Sequence, residues 1–489
     1  MTKVIVTPIN DVFLHVSTEP HVAYELSDRF SFRIPNAHFH PKVKARLWDG
    51  RIKLYRNSRI YIGLLEDIKT FCKTRDYEFV YQSNQNIIHP KIKTDITWNL
   101  PDNIEVRDYQ KSMILQAIEN ERMLMLSPTS SGKSLIIYSI IKHIIESNES
   151  EKGLIIVPRL SLVKQLYTDF QSYSTKNKWN VDENIHMVFS GQDHNTDKKI
   201  IISTWQSIYK NPVEYFKQFS FVVGDECHEF KATSLVSIME KLVNARIRIG
   251  TTGTLDGIEC NEMTLIGLFG PKVVATTTKT LQDQKHIATL KINCIILEHP
   301  HARRERFKYI DEINYLTQNN KRNQYITNLA LSLKGNTLVL YRYIENHGQI
   351  LHDIFKEKIA DKYKNKKIYY IHGGVDADIR EEIRKIVNEE TDSIILASIG
   401  TFAMGVNIPN LHNIVFAAPT KSRIKTLQSI GRVLRLSKDK TNAVLYDIAD
   451  DTRKGKYTNH TFKHFYERIK LYSIEDFDYK VFTVKINEE

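Results

Sequence analysis

Through most of the chain, short aliphatic and β-branched runs alternate with stretches whose apolar positions recur every three or four residues. A first series of runs comprises RMLMLS (122–127), GLIIVP (153–158), KIIIST (199–204), FVVGDE (221–226) and RIRIGTTG (246–253). A second comprises TLVLY (337–341), KIYYIHG (367–373), SIILAS (393–398), NIVFAA (413–418) and AVLYDI (443–448). Near-continuous apolar runs of this length predict strands buried on both faces. Between them, stretches such as SLVKQLYTDFQSY (161–173) and DIREEIRKIVNEE (378–390) carry the helical period. The alternation predicts parallel sheets covered by helices on both sides. Two series, divided by a polar and basic stretch at 298–323, predict two such α/β domains in tandem. The first hundred residues show no comparable alternation and predict a small α+β domain. The tail after 448 predicts one helix, HTFKHFYERIKLY (460–472). The expected domains are 1–95, 96–285, 286–449 and 450–489.

Bulk properties narrow the class. A chain of 489 residues exceeds a single core. With 42% hydrophobic and 26% charged residues it reads as globular, and a formal net charge of +12 favours an anionic partner. No apolar run reaches membrane-spanning length, and MTKVIVTPIND lacks the core of a signal peptide, so a cytoplasmic protein with no membrane partner is expected. The four cysteines, Cys72, Cys227, Cys260 and Cys294, lie too far apart for a paired zinc or redox motif, which predicts reduced thiols.

Residues 127–134, SPTSSGKS, end as a phosphate-binding loop ends but begin on Ser127 where the usual pattern has glycine. Read alone, they are either such a loop or a Ser-rich turn capping an ordinary helix. A loop of this kind cradles phosphate oxygens on backbone N–H groups, with Lys133 neutralising charge and Ser134 holding Mg²⁺. Ser127 fits the turn by size, although a positive φ there would cost more than with glycine. FVVGDECHEF (221–230) ends a buried-type strand in two carboxylates: Asp225 suits Mg²⁺, and Glu226 suits orienting and deprotonating a water. The alternative for these two is a solvated acidic turn. Farther on, TLQSIGRVLRLS places Gln428, Arg432 and Arg435 on one helical face, where arginine forks suit a transferring phosphoryl group.

At these residues the chain resembles superfamily-two helicases and translocases. RDYQ (107–110), SPTSSGKS, IVPRLSLVKQ (156–165), STWQS (203–207), DECH (225–228), TTGTL (251–255), ASIGTFAMGVNIPN (397–410) and QSIGRVLR (428–435) occur in the family's order. The resemblance implies two RecA-like motor domains fuelled by ATP with Mg²⁺. It places Arg107, Gln110, Thr129, Ser130, Ser131 and Gly132 with Lys133 and Ser134 around the nucleotide, Gln110 reading adenine. Asp225 and Glu226 become the metal and water residues, and Gln428, Arg432 and Arg435 act on the transferring phosphate. His228, Thr252, Gly253 and Thr254 couple nucleotide state to movement. Arg159, Thr204, Gly405 and Asn407 fall in motifs that line the nucleic-acid track or the cleft. Ser130 stands where the family frequently has glycine.

KVKARLWDGRIKLY (42–55) predicts a two-residue hairpin turning at Asp49-Gly50. Val43, Ala45, Leu47, Ile52 and Leu54 would form its core face. The opposite face would carry Lys44, Arg46, Trp48, Arg51, Lys53 and Tyr55. Residues 29–59 hold nine Lys/Arg against one acid, Asp49; charge interleaved with rings suits nucleic acid, the alternative being a solvated basic face. Trp48 is either a wedge or a packing residue. Together with the DECH box, LKINCIILEHP (290–300) and ERIKLYSIEDFDYKVFTV (467–484), the longer stretch FSFRIPNAHFHPKVKARLWDGRIKLY (30–55) makes the whole chain resemble the UvsW-type recombination helicases of phages. That implies action on branched or partly single-stranded DNA in recombination, replication and repair: branch migration, fork regression, R-loop unwinding on RNA–DNA hybrids, and annealing. It also implies a host-cytoplasmic enzyme, monomeric or assembling on DNA. An RNA helicase, or an ATP-gated annealing protein that never separates strands, would carry the same motor motifs.

Overall fold

The computed structural model describes residues 2–83, 92–148, 151–176, 179–189, 191–230, 232–300, 307–403, 408, 410–418, 422–436, 440–453 and 457–486. The chain forms two compact units, one of residues 1–127 and 132–276, the other of 128–131 and 277–489.

The first unit opens with six short strands: β1 (Lys3–Pro8), β2 (Phe13–Ser17), β3 (Ser31–Arg33), β4 (Arg51–Lys53), β5 (Arg59–Tyr61) and β6 (Glu78–Tyr81). They form a mixed sheet in the order β5-β2-β1-β6 and a separate antiparallel pair, β3-β4. Seven parallel strands follow: β7 (Arg122–Leu126), β8 (Gly153–Val157), β9 (Ile185–Val188), β10 (Ile200–Thr204), β11 (Phe221–Asp225), β12 (Ile247–Thr252) and β13 (Lys272–Val274). Their order is β13-β7-β12-β11-β8-β10-β9. All five runs expected in this half are strands. β8, β10, β11 and β12 are buried at every position, which is why they read as unbroken apolar runs.

The N-terminal sheet shares one hydrophobic core with the seven-stranded sheet: Val6, Leu14, Ile60 and Leu64 belong to the same buried cluster as Leu124, Leu265 and Phe269. Polar ties reinforce the join. The Tyr61 hydroxyl donates to Glu240 Oε1 at 2.7 Å, and Arg122 donates to the Asp11 carbonyl at 2.7 Å. Backbones meet at Gly63, where a Cβ would stand 2.1 Å from the Ile266 carbonyl oxygen. Any larger residue there must push the two layers apart.

The expected hairpin at 42–55 does not form. His40 caps a short helix, Pro41–Lys44, by accepting the Lys42 N–H on Nδ1, with Pro41 at its first position, so Lys44 is helical and never reaches the strand. Asp49 Oδ1 accepts the Arg51 N–H at 2.9 Å, making a local side-chain turn in place of a hairpin corner. The partner of β4 is β3, in the register Phe32 to Ile52. The predicted faces fail with the pairing: Leu47 is 79% exposed, whereas Tyr55, assigned to the outer face, is buried. Gly50 has φ +75°, and a Cβ there would lie 2.6 Å from that of Ala37. The Asp-Gly dipeptide is needed for a close approach that its flanking pattern did not reveal.

The second unit is another parallel sheet: β14 (Thr289–Glu298), β15 (Thr337–Tyr341), β16 (Ile368–Ile371), β17 (Ile394–Ser398), β18 (Asn413–Phe416), β19 (Asn442–Asp451) and β20 (Tyr479–Lys485). The order is β16-β17-β15-β18-β19-β14-β20. β14 and β20 lie outside the five expected runs. β14 interrupts its apolar positions with lysine and asparagine, and β20 is exposed at nearly every position, so neither gives a buried-strand pattern. The tail therefore contributes the expected helix, His460–Ile474, and an edge strand besides. That helix is anchored at its start and again at its middle. Glu312 accepts the His460 and Thr461 N–H groups at its positive end, and the buried Arg468 pairs with Asp447 of β19 at 2.7 Å.

Candidate active site and nucleic-acid face

In the first unit Lys133, Ser134, Asp225, Glu226, Thr252 and Thr254 lie at or just beyond the carboxyl ends of β7, β11 and β12, where parallel sheets place their ligands. The helix Lys133–Ser147 starts on Gly132, whose φ of +80° turns the chain from loop to helix. The start of a helix gathers backbone N–H groups along its axis, the arrangement that suits an anion. Lys133 Nζ donates to the Ser127 carbonyl at 3.2 Å. Ser127 does not take the positive φ considered for it; its N–H donates to the Thr252 carbonyl at 2.9 Å, prolonging the ladder with β12. Ser130 takes the left-handed conformation instead, with φ +69°. Ser131 Oγ donates to the Pro128 carbonyl at 2.7 Å, and Thr129 lies in the same turn.

Asp225 ends β11, buried. Its Oδ1 accepts the Glu226 N–H at 2.9 Å and the Thr251 hydroxyl at 2.7 Å. Burial, and then the Glu226 charge, push its carboxyl above the ordinary range, while Lys133 pulls the other way. A buried carboxylate opposed by one lysine has room for more positive charge, so the donor set fits a divalent cation. Glu226 stands in the left-handed region at φ +50°, a strained backbone of the kind that gathers at functional positions. His228 Nδ1 lies 3.0 Å from Thr252 Oγ1 and 3.4 Å from Glu226 Oε2. Thr252 Oγ1 in turn donates to the Thr254 carbonyl at 3.1 Å, across Gly253. The DECH box and the TTGTL loop are thus physically linked through His228.

Gln110, buried, accepts the Arg107 N–H on Oε1 at 2.9 Å and so caps the helix Asp108–Asn120. A Cβ on Gly132 would lie 2.4 Å from Gln110 Nε2, so the RDYQ glutamine packs directly on the phosphate-loop glycine. The Arg107 guanidinium donates to the Tyr109 hydroxyl at 3.0 Å. One neighbour had no signal in the sequence: Ser134 Oγ and the Tyr173 hydroxyl lie 2.9 Å apart. Tyr173 belongs to SLVKQLYTDFQSY, and its helical spacing marks it only as an inward-facing ring.

The other candidates divide. Arg159 precedes the helix Leu160–Ser174, partly exposed, 3.7 Å from Glu229. Thr204 is buried at the end of β10, its hydroxyl 2.8 Å from that of Ser207. Gly405 and Asn407 lie outside the described residues. In the second unit Gln428 and Arg432 fall on the helix Arg423–Val433. Arg435 lies two residues beyond its end, so the three do not share one helical face as expected; the helix closes at Val433. Lys44, Arg46, Arg51 and Lys53 are exposed despite the altered pairing, and Trp48 is half-buried, its indole N–H donating to the Arg51 carbonyl at 2.9 Å. That bond favours a packing role for Trp48. The four cysteines are free and buried. No metal-binding cluster of His, Cys, Asp and Glu occurs among the described residues, and no helix there is long and apolar enough to cross a membrane.

Comparisons with known proteins agree with this layout. Residues 103–257 match the family model "Type III restriction enzyme, res subunit", and 320–437 match "Helicase conserved C-terminal domain". Residues 9–82 match "DNA helicase UvsW, N-terminal". The chain is 32% identical to the ATP-dependent DNA helicase uvsW of Enterobacteria phage T4, covering 97% of this chain and 98% of that one. It is 24% identical to the DNA 3'-5' translocase XPB2 of Sulfurisphaera tokodaii, over 82% and 92% of the two chains. The crystal structure of T4 UvsW aligns over 99% of this chain and all of that one, at 30% identity and a TM-score of 0.49. The two seven-stranded sheets are RecA-like motor domains.

Proposed function

The chain belongs to the UvsW family of ATP-dependent DNA helicases, and from that premise we propose that it drives branched or partly single-stranded DNA through strand exchange. The substrates are junctions to be migrated, stalled forks to be regressed and R-loops to be unwound, with annealing as the reverse outcome, in phage recombination, replication and repair. The observation that carries this reading is the likeness ahead of the motors. Residues 9–82 match the N-terminal region of that family, and it is there that Lys44, Arg46, Arg51 and Lys53 stand exposed. Motor motifs alone are shared with RNA helicases; this region is not part of them.

ATP supplies the free energy, and Mg²⁺ would be held by Ser134 and Asp225. Lys133, now on the Ser127 carbonyl, would swing onto phosphate charge, and Gln110 would meet the adenine. Glu226 would accept a proton from the attacking water, its strained backbone holding the carboxylate beside His228. His228 would pass the change at Glu226 to Thr252 and the TTGTL loop. Gln428, Arg432 and Arg435 would stabilise the transferring phosphoryl group. Arg159, Thr204, Gly405 and Asn407 would serve the nucleic-acid track, and the N-terminal basic face would grip backbone phosphates without reading sequence.

The test compares ATPase and strand-separation rates on single strands, blunt duplex, forks, four-way junctions and RNA–DNA hybrids. Forks and four-way junctions are expected to be processed faster than blunt duplex. Equal rates would overturn the branched-DNA reading, and stimulation by RNA alone would favour an RNA helicase.

A further inference from the structure

Beyond the helix Arg423–Val433, three successive carbonyls at the turn leading to Arg435 are taken by two partners from elsewhere in the second unit. The Lys440 ammonium donates to the Val433 carbonyl and, at 2.9 Å, to that of Arg435. Ala288 N–H, just ahead of β14, donates to the Leu434 carbonyl between them at 2.8 Å. Lys440 is 2% exposed, and a buried lysine head is costly unless its N–H groups are used. Here they are used on the carbonyl end of a helix, where positive charge is favoured.

We infer that Lys440 is the positioning residue for Arg435: by holding the carbonyls of Val433 and Arg435 it sets the point and direction in which the arginine leaves its helix. The inference rests on the reading that Arg435 acts on the transferring phosphate. Two features make the tie more than an ordinary cap. It engages the backbone of Arg435 itself, so displacement of Lys440 is transmitted to that Cα directly. It also sets two like charges side by side: burial first, and then the Arg435 charge, bring the Lys440 ammonium down to about 7. A neutral amine retains N–H donors, so the tie itself does not depend on the proton.

The experiment is steady-state ATPase kinetics of full-length Lys440→Met, Lys440→Arg, Arg435→Ala and the Lys440→Met/Arg435→Ala pair, each with its melting temperature. Arg435→Ala is expected to lower kcat about 10³-fold. Lys440→Met should lower kcat about 10²-fold, the scale of a misplaced catalytic group, with KM for ATP unchanged. The double variant should be no slower than Arg435→Ala, and Lys440→Arg, which keeps donors at the site, should recover most of the loss. Wild-type kcat in Lys440→Met, or losses that multiply in the double variant, would overturn the inference. If Lys440→Met melts below the assay temperature, the shorter, uncharged Lys440→Gln takes its place: reduced kcat at wild-type KM, recovered in Lys440→Arg, supports the positioning role, and wild-type kcat in Lys440→Gln sinks it. An Arg435→Ala variant that keeps its kcat would instead refute the reading of Arg435, a separate failure.

Discussion

The candidate phosphate site and the N-terminal basic face are both proposed to meet polyanions, yet they hold their charges in opposite ways. At the site each group is fixed by at least one other: Asp225 by Thr251 and the Glu226 N–H, His228 by Thr252, Gln110 by Arg107 and Gly132. On the face, Arg51 meets Asp28 at 3.3 Å with the carboxylate 74% exposed, and Lys53 meets Asp49 at 3.8 Å. Such exposed pairs contribute roughly 0–1 kcal/mol and leave the cations mobile. The difference fits the work proposed for each. Phosphoryl transfer needs groups oriented to fractions of an ångström, whereas a grip on backbone phosphates needs only a density of charge.

The sharpest way to break that comparison is to remove one group from each region. Lys133→Ala should lower the ATPase kcat by about 10³-fold or more. Glu226→Gln should do the same while retaining ATP-dependent DNA binding, because its loss spares the loop that holds the nucleotide. Arg51→Ala, by contrast, should leave basal ATPase at wild type. A Lys133→Ala enzyme with full turnover, or an Arg51→Ala enzyme without any, would erase the distinction.

A second substitution asks whether the two regions are one body. Gly63→Val drives a side chain into the Ile266 carbonyl, and overpacking of this kind should cost about 3 kcal/mol or more. Because the N-terminal sheet shares its core with the first motor sheet, thermal unfolding should shift as a single transition. A separate early transition for the N-terminal region would show that the shared core does not couple them.

The basic face itself calls for a collective change. Replacing Arg46, Arg51 and Lys53 together by alanine should weaken junction binding and flatten the salt dependence of log K by roughly 2–3, at about 0.9 for each phosphate no longer neutralised. Arg51→Ala alone should flatten it by about one or less. Unchanged binding in the triple variant would leave the face merely solvated.

The two regions also differed in how legible they were. β8, β10, β11 and β12 announced themselves because burial on both faces writes an unbroken apolar run, and the site residues stand at their ends or in the adjoining loops. The N-terminal fold was hidden because its determinants are local and polar: the His40 cap, Pro41 at a helix start, the Asp49 turn and the tight space at Gly50. An Asp-Gly corner with alternating flanks looks the same whether the flanks pair with each other or not. β20 was illegible for a further reason, since an exposed edge strand has no apolar face to display. At the site, the approach of Tyr173 to Ser134 could not be read, because only the fold brings residues 39 apart into reach.

The smallest expected effect concerns the loop's two departures from glycine, and it separates them by sign. Ser127 carries no positive φ, is fully buried and lends its N–H to the ladder with β12. Glycine at that position gains nothing in the folded state and loosens the unfolded chain, so Ser127→Gly should destabilise by about 0.5–1 kcal/mol. Ser130 holds φ at +69°, a conformation that costs a residue with a Cβ about 1–2 kcal/mol and costs glycine nothing. Ser130→Gly gives back part of that gain to unfolded-state freedom and should still stabilise by about 0.5 kcal/mol. Melting temperatures of the two single variants should therefore move in opposite directions. Movement in the same direction would mean that the loop's strain is not concentrated at Ser130, and that the missing first glycine is more than a tolerated variation at the end of a strand.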